Sequence, residues 1–237
     1  MRLQKFLAHA GICSRRTAET LILEGKIRVN QETITTLGTQ VDPEKDQVFF
    51  DNIRVNPPDA SEGFTYIAVN KPRGVITSCS QKNTRIILDL VPIKKRVYPI
   101  GRLDKDSVGL VLLTDDGELH NRLSHPSHNH EKEYRVKTRS PLSDKDLTAM
   151  ADGIVIEGVK TRTARVSRIA ENEFLIILKQ GRNRQIRKMV EQLHNKVDTL
   201  KRIRMANINL GGLKESGWRY LTPQEIKDLT QLFNPGT

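Results

Sequence analysis

Apolar positions along the chain switch between two periods. Leu3, Phe6, Leu7 and Ala10 recur at helical spacing and Gly11 closes the run, which predicts a first helix. Ser14 is placed to cap a second helix, with Ala18, Leu21 and Ile22 on its apolar face and Gly25 at its end. Segments 26–30 and 47–51 read as short strands, so the first fifty residues form a small α+β unit. Residues 55–63 carry neither period; Pro57 and Pro58 mark them as a semi-rigid linker. From residue 64 onward short apolar runs alternate with turns, predicting strands at 64–70, 96–100, 108–114, 132–139, 163–169 and 173–180. Helices are expected at 143–152, at 182–193 after Gly181, and from Thr222, which precedes a proline at the first helical position. Strands joined mostly by turns, with few helices, argue for an α+β domain on a mainly antiparallel sheet, and Trp218 reads as a packing residue near its C-terminal strand. The domains expected are thus 1–54, a linker at 55–63, and 64–237.

Charge changes this picture from architecture to partner. The net charge is +11, and it is unevenly spread: residues 1–63 carry eight Lys/Arg against nine Asp/Glu, residues 64–237 carry 31 against 19. Nine basic residues fall within 179–204, with Arg in the majority. Such a field attracts polyanions, and the planar guanidinium suits phosphate, so nucleic acid is the expected partner. Arg15 and Arg16 sit in the first turn of the second predicted helix, where the helix dipole disfavours cations; an external phosphate there would resolve the conflict. The absence of a twenty-residue apolar run or a positively flanked apolar start excludes a membrane span and a signal peptide from expectation. Cys13 and Cys79 lie far apart and offer no metal spacing or disulfide framework, which suits a reducing cytoplasm.

Candidate chemistry centres on residues 100–114. Asp104 lies in a short polar turn between two apolar runs, a position in which rigid supports could hold a carboxylate still; Asp106 is its rival two residues away. Local chemistry alone does not choose between them. His125, His128 and His130 are grouped, but no further Cys or His partners are evident, so no metal site is expected and they are placed on the loop before residue 132.

Several motifs recur in a recognisable order. The N-terminal runs Arg2-Leu-x-Lys-Phe-Leu, Ser14-Arg-Arg-x-Ala-Glu and Gly25-Lys-Ile-Arg-Val-Asn resemble an S4-type RNA-binding domain. Lys71-Pro-Arg-Gly-Val-Ile-Thr-Ser, Gly101-Arg-Leu-Asp104 with Ser107, Gly109 and Leu110, Glu131-Lys-Glu-Tyr134-Arg-Val and Gln180-Gly-Arg-Asn-Arg-Gln-Ile-Arg187-Lys-Met follow. Together these resemble a pseudouridine synthase of the branch that carries an N-terminal S4 domain, and within it the RluF type of large-subunit ribosomal RNA synthases. The resemblance spans essentially the whole chain.

It implies a cofactor-independent isomerase that converts a uridine of 23S ribosomal RNA, free or in a large-subunit precursor, to pseudouridine after flipping it from the stack. Asp104 takes the role of the catalytic carboxylate, Arg187 that of the basic residue beside it, and Tyr134 that of the tyrosine stacking on the flipped base. Arg102 would fill the gap in the RNA, Leu200 would pack under the base, and Lys71 and Arg202 would meet phosphate. Arg182 and Arg184 join Arg15 and Arg16 as RNA-binding residues. Gln180 and Ser107 stand where other S4-linked synthases often carry Glu and Thr; neither change removes a proposed catalytic group. The chain is expected to act as a monomer in the cytoplasm. The alternatives are a synthase for 16S or transfer RNA, or a non-catalytic S4-domain assembly factor; a degenerate synthase would be expected to lack one of Asp104, Tyr134 and Arg187, and all three are present.

Overall fold

The computed structural model describes residues 1–56, 63–124 and 129–232. Most of the expected linker 55–63, together with His125 and His128, lies outside the described residues. The chain divides into two units, Met1–Phe64 and Thr65–Thr237. Among the described residues no helix is long and apolar enough to cross a membrane.

In the first unit, α1 (Leu3–His9) and α2 (Arg15–Leu23) precede four short strands, β1 (Ile27–Val29), β2 (Glu32–Ile34), β3 (Val48–Phe50) and β4 (Ile53–Val55). The strands form an antiparallel sheet in the order β2-β1-β3-β4. The Ser14 hydroxyl caps α2 by accepting from the Thr17 amide at 3.1 Å. Arg15 and Arg16 are exposed in the first turn of α2, which carries no acidic residue. Leu3, Phe6, Leu7, Ala18, Ile22, Ile27 and Val48 bury the apolar faces of helices and sheet in one core. Strands β2 and β4 are absent from the sequence expectation, because each has only three residues and Val55 alone of the six is buried, which leaves no period to read.

The second unit runs β5 (Tyr66–Lys71), β6 (Tyr98–Ile100), β7 (Val108–Thr114), α3 (Gly117–Ser124), β8 (Lys132–Thr138) and α4 (Asp144–Asp152). A two-residue hairpin of β9 (Val155–Ile156) and β10 (Val159–Lys160) leads into β11 (Arg165–Ala170) and β12 (Glu173–Leu178). After these come α5 (Gln185–Gln192), β13 (Val197–Met205), β14 (Ile208–Asn209), β15 (Trp218–Tyr220) and α6 (Pro223–Gln231). The main sheet has the order β11-β12-β8-β13-β7-β5-β15, with β14 on β13 and β6 on β7. Every pairing in it is antiparallel except β13 with β7. The fold is α+β, as expected.

Alternation along the strands dresses both faces of this sheet. Ile67, Val69, Val111 and Leu113 join Met150 of α4 and Met189 of α5 in one cluster. Ala68, Leu110 and Leu112 face the other way, with Leu119 and Leu123 of α3 and Leu229 of α6. This explains why β7 reads as an unbroken apolar run: both of its faces are covered. Thr222 and Glu225 cap α6 reciprocally around Pro223, as the sequence pattern predicts.

The parallel seam between β7 and β13 depends on one glycine. Gly109 pairs with Arg202 and has a φ of +104°; a Cβ there would meet the Arg202 carbonyl oxygen at 2.3 Å and its amide nitrogen at 2.8 Å. Both neighbours are backbone, so no side chain can move aside. Gly109→Ala is expected to cost about 3 kcal/mol and to lower Tm by roughly 6–12 °C in thermal unfolding. A Tm within about 2 °C of wild type would show that the seam tolerates a wider approach.

Candidate active site

The carboxylate of Asp104 is presented by a turn whose backbone is tied down on several sides. The Ser107 amide donates to the Asp104 carbonyl at 3.1 Å and closes the turn. Thr77 brackets the residue before it: its hydroxyl donates to the Leu103 carbonyl at 3.0 Å and accepts from the Leu103 amide at 3.2 Å. The Gly74 amide donates to the Lys105 carbonyl at 2.9 Å, joining the turn to the segment that follows β5.

Beneath the turn lie two buried cations. Lys71 is 0% exposed, and its ammonium donates to the carbonyls of Pro72 (2.9 Å), Val75 (2.7 Å) and Lys105 (3.4 Å). Burial pulls its pKa down to about 8, against the opposing pull of Asp104 and Asp106. The expectation that Lys71 meets phosphate is therefore corrected: it has no solvent-facing surface, and its donors serve the main chain. Arg187 is 7% exposed, and one guanidinium nitrogen reaches the Asp106 carbonyl and the Ser107 hydroxyl, both at 3.4 Å. Its other terminal nitrogen reaches the Val197 carbonyl at 3.5 Å. Burial foremost, and then Arg184, lower the Arg187 pKa from its ordinary value, while Asp104 and Asp106 oppose the shift.

The cation that meets Asp104 is Arg184, at 3.8 Å between its Nη1 and Oδ2. Arg187, expected beside the carboxylate, feels the Asp104 charge but makes no close ion pair with it among the described residues; its terminal nitrogen reaches the Asp106 carbonyl and the Ser107 hydroxyl. The sequence could not say which atoms the long Arg187 side chain would reach.

Above the turn opens a cavity of about 360 Å³, within the range of small-ligand sites. Asp104, Tyr134, Leu200, Gln180 and Ile186 line it, with Arg102, Arg182 and Arg184 among its polar walls. Tyr134 from β8 and Leu200 from β13 reach the same cavity because these strands are neighbours, Leu200 pairing with Val136 and Arg202 with Tyr134. Asp106 is exposed and contributes nothing to the lining, so geometry separates the two aspartates that local sequence could not. Arg182 is anchored at the rim by donating to the Val159 carbonyl at 3.2 Å.

Arg202 requires a second correction. It is 1% exposed and its Nε donates to the Leu110 carbonyl at 2.7 Å, so it lies within the sheet and presents nothing to a phosphate. Arg15 and Arg16 belong to the first unit, exposed on α2. Thr77 and Ile186 were not singled out from the sequence. Thr77 lies 26 positions from Leu103, and nothing local announces that contact. Ile186 is both core and cavity wall.

Comparison with known proteins gives a consistent result for both units. Residues 65–192 match the family described as RNA pseudouridylate synthase, and residues 1–48 match the S4 domain. The chain is 40% identical over 236 residues to the dual-specificity RNA pseudouridine synthase RluF of Escherichia coli O6:H1, covering 98% of this chain and 79% of the relative. It is 39% identical over 243 residues to the ribosomal large subunit pseudouridine synthase B of Bacillus subtilis, covering 99% and 98% respectively. A crystal structure of a pseudouridylate synthase superposes with a TM-score of 0.71 at 30% identity, over 97% of this chain and 99% of that one.

The buried ammonium of Lys71 gives the turn a pH signature. The unfolded lysine holds its proton to near 10.5, whereas the folded one releases it near 8. Between those values the unfolded state binds more protons, so this residue's contribution to stability rises with pH. In urea unfolding at about pH 7.5 and about pH 10, wild type is expected to gain stability relative to Lys71→Met over that interval. Parallel profiles for the two proteins would mean that Lys71 keeps its ordinary pKa in the folded state.

Proposed function

Because the chain belongs to the RNA pseudouridylate synthase family, we propose that it isomerises a specific uridine of 23S ribosomal RNA, with Asp104 as the catalytic carboxylate. The observation that carries this reading is the cavity itself: one carboxylate, Asp104, facing an aromatic ring, Tyr134, and an apolar wall, Leu200, in a space suited to one base. The reaction adds and removes no atoms. The bond from the sugar C1′ to N1 breaks, the base turns, and C1′ joins C5; the C5 hydrogen leaves as a proton and N1 gains one. No redox step or transferred group is involved, so the chain's own side chains suffice for the chemistry.

A carboxylate serves such a reaction as nucleophile or as countercharge to a sugar-centred cation, and either role needs it fixed against the sugar. The tied-down turn supplies that fixation. Tyr134 presents a ring on which an extruded pyrimidine stacks, offsetting the few kcal/mol, roughly, that unstacking costs. Leu200 and Ile186 give the cavity apolar surface against which the base can pack. Arg187 acts here as a positioning residue, holding the Asp106 carbonyl and the Ser107 hydroxyl, while Arg102 at the rim takes the place vacated in the RNA.

The large-subunit target follows from the naming of the Bacillus subtilis relative and from the RluF-type motifs. The RluF relatives are named dual-specificity enzymes, so a second RNA belongs in the test. The S4 unit, with Arg15 and Arg16 exposed on α2, supplies a second RNA contact by its phosphate-seeking helix start.

Ribosomal RNA transcribed with uridine tritiated at C5 reads the bond change directly, because joining the sugar to C5 displaces that hydrogen. Wild type is expected to release tritium from 23S RNA, and Asp104→Asn to release none while retaining RNA affinity. Release by Asp104→Asn would overturn the assignment of the carboxylate. Release from 16S or transfer RNA alone would overturn the substrate.

A further inference from the structure

Arg184 stands apart from the other cations around Asp104. Lys71 and Arg187 are buried and committed to main-chain carbonyls, and Arg73 donates to the Asp198 carbonyl at 3.1 Å. Arg184 keeps 42% of its side chain exposed, lines the cavity, and has the Asp104 carboxylate, itself 32% exposed, as its partner at 3.8 Å. Its backbone, by contrast, is fixed. It adopts a left-handed conformation, φ 51° and ψ 31°, at the start of α5, and its carbonyl accepts from the Lys188 amide at 3.0 Å. A non-glycine residue held there is uncommon and carries backbone strain of order 1 kcal/mol, which points to a position where this side chain is required. The result is a pinned base with a side chain able to swing.

The reaction removes the partner of that side chain. Once Asp104 turns to the ribose, Arg184 loses its counter-ion while the buried Arg187 remains close enough to disfavour a neighbouring charge. The substrate brings its own anion: the phosphates on either side of the target nucleotide are attached to the same ribose whose C1′ faces Asp104. A side chain that touches the carboxylate is therefore within its own swing of one of them. A partly exposed ion pair is weakly held, whereas an Arg–phosphate contact is charge-assisted and two-pronged, so exchange runs toward the phosphate.

We propose that Arg184 is an exchangeable latch, holding Asp104 in the RNA-free enzyme and passing to a phosphate flanking the flipped uridine when RNA docks. This rests on the pseudouridine synthase reading above and adds to it a positioning residue that couples substrate arrival to release of the catalytic carboxylate. It differs from a general basic contact in naming the partner that is given up.

The test is a double cycle on a stem-loop RNA containing the target uridine, with either flanking linkage replaced by a neutral methylphosphonate. For wild type, one of the two neutral linkages is expected to raise KM about ten- to a hundredfold, the range of a lost charge-assisted contact, with a smaller effect on kcat. Arg184→Gln on native RNA is expected to show a KM rise of similar size, and Arg184→Lys to recover part of it. Combining Arg184→Gln with the sensitive linkage is expected to add nothing further. Losses that multiply, or an Arg184→Gln enzyme as sensitive to the linkage as wild type, would overturn the latch while leaving the synthase reading intact. Failure of wild type to form pseudouridine in any native RNA would instead overturn the reading beneath it.

Discussion

Two buried cations, Lys71 and Arg187, set the position of the turn that carries Asp104. A charge removed from water is tolerable only when it finds acceptors, and here the Lys71 ammonium and the terminal nitrogens of Arg187 reach main-chain carbonyls of Pro72, Val75, Lys105, Asp106 and Val197, while the Arg187 Nε makes no hydrogen bond among the described residues. Moving the turn would strip these donors of partners inside the protein, at a cost far above that of a surface contact. The consequence is that the turn carrying Asp104 is tied to its surroundings from several directions. Thr77 adds a two-way hydrogen bond to Leu103 from a third direction.

That stiffness has a use only because the sheet delivers the other walls. The parallel seam at Gly109 and Arg202 joins the half of the sheet that carries the turn to the half that carries Tyr134 and Leu200. A wider seam would move the aromatic ring and the carboxylate apart together with their strands. Arg202, buried in that seam with its Nε on the Leu110 carbonyl, is a structural member of the joint. The site is therefore a property of strand order as much as of its individual residues. Arg184 differs from the buried cations in keeping much of its side chain exposed beside Asp104.

Much of this was legible in the sequence, for identifiable reasons. Strand β7 is an unbroken apolar run and was placed at 108–114, where it occurs; Ser143 and Thr222 announced α4 and α6 through their capping chemistry. Strand β13 was missed although it is the longest, because Asp198, Lys201, Arg202 and Arg204 interrupt its apolar residues and drew a reading of surface charge. Helix α3 was missed because Leu119 and Leu123 alone mark its buried face, too few to establish a period. The same cause misplaced Lys71 and Arg202: a basic residue in a basic protein reads as solvent-facing until the carbonyls that receive it are known. Those carbonyls can be distant, since Lys71 and Lys105 lie 34 positions apart. Motif order singled out Asp104 and Tyr134. It could not reveal that Arg184, rather than Arg187, is the guanidinium facing the carboxylate.

The central claim is that this cavity receives one extruded uridine, with its ribose against Asp104. A crystal structure of the Asp104→Asn protein bound to a stem-loop RNA containing the target uridine tests it most directly. The account predicts the base lifted from the stack and lying between Tyr134 and Leu200, with C1′ in contact with residue 104. A complex in which that uridine stays stacked in the RNA, with the cavity unoccupied, would contradict it.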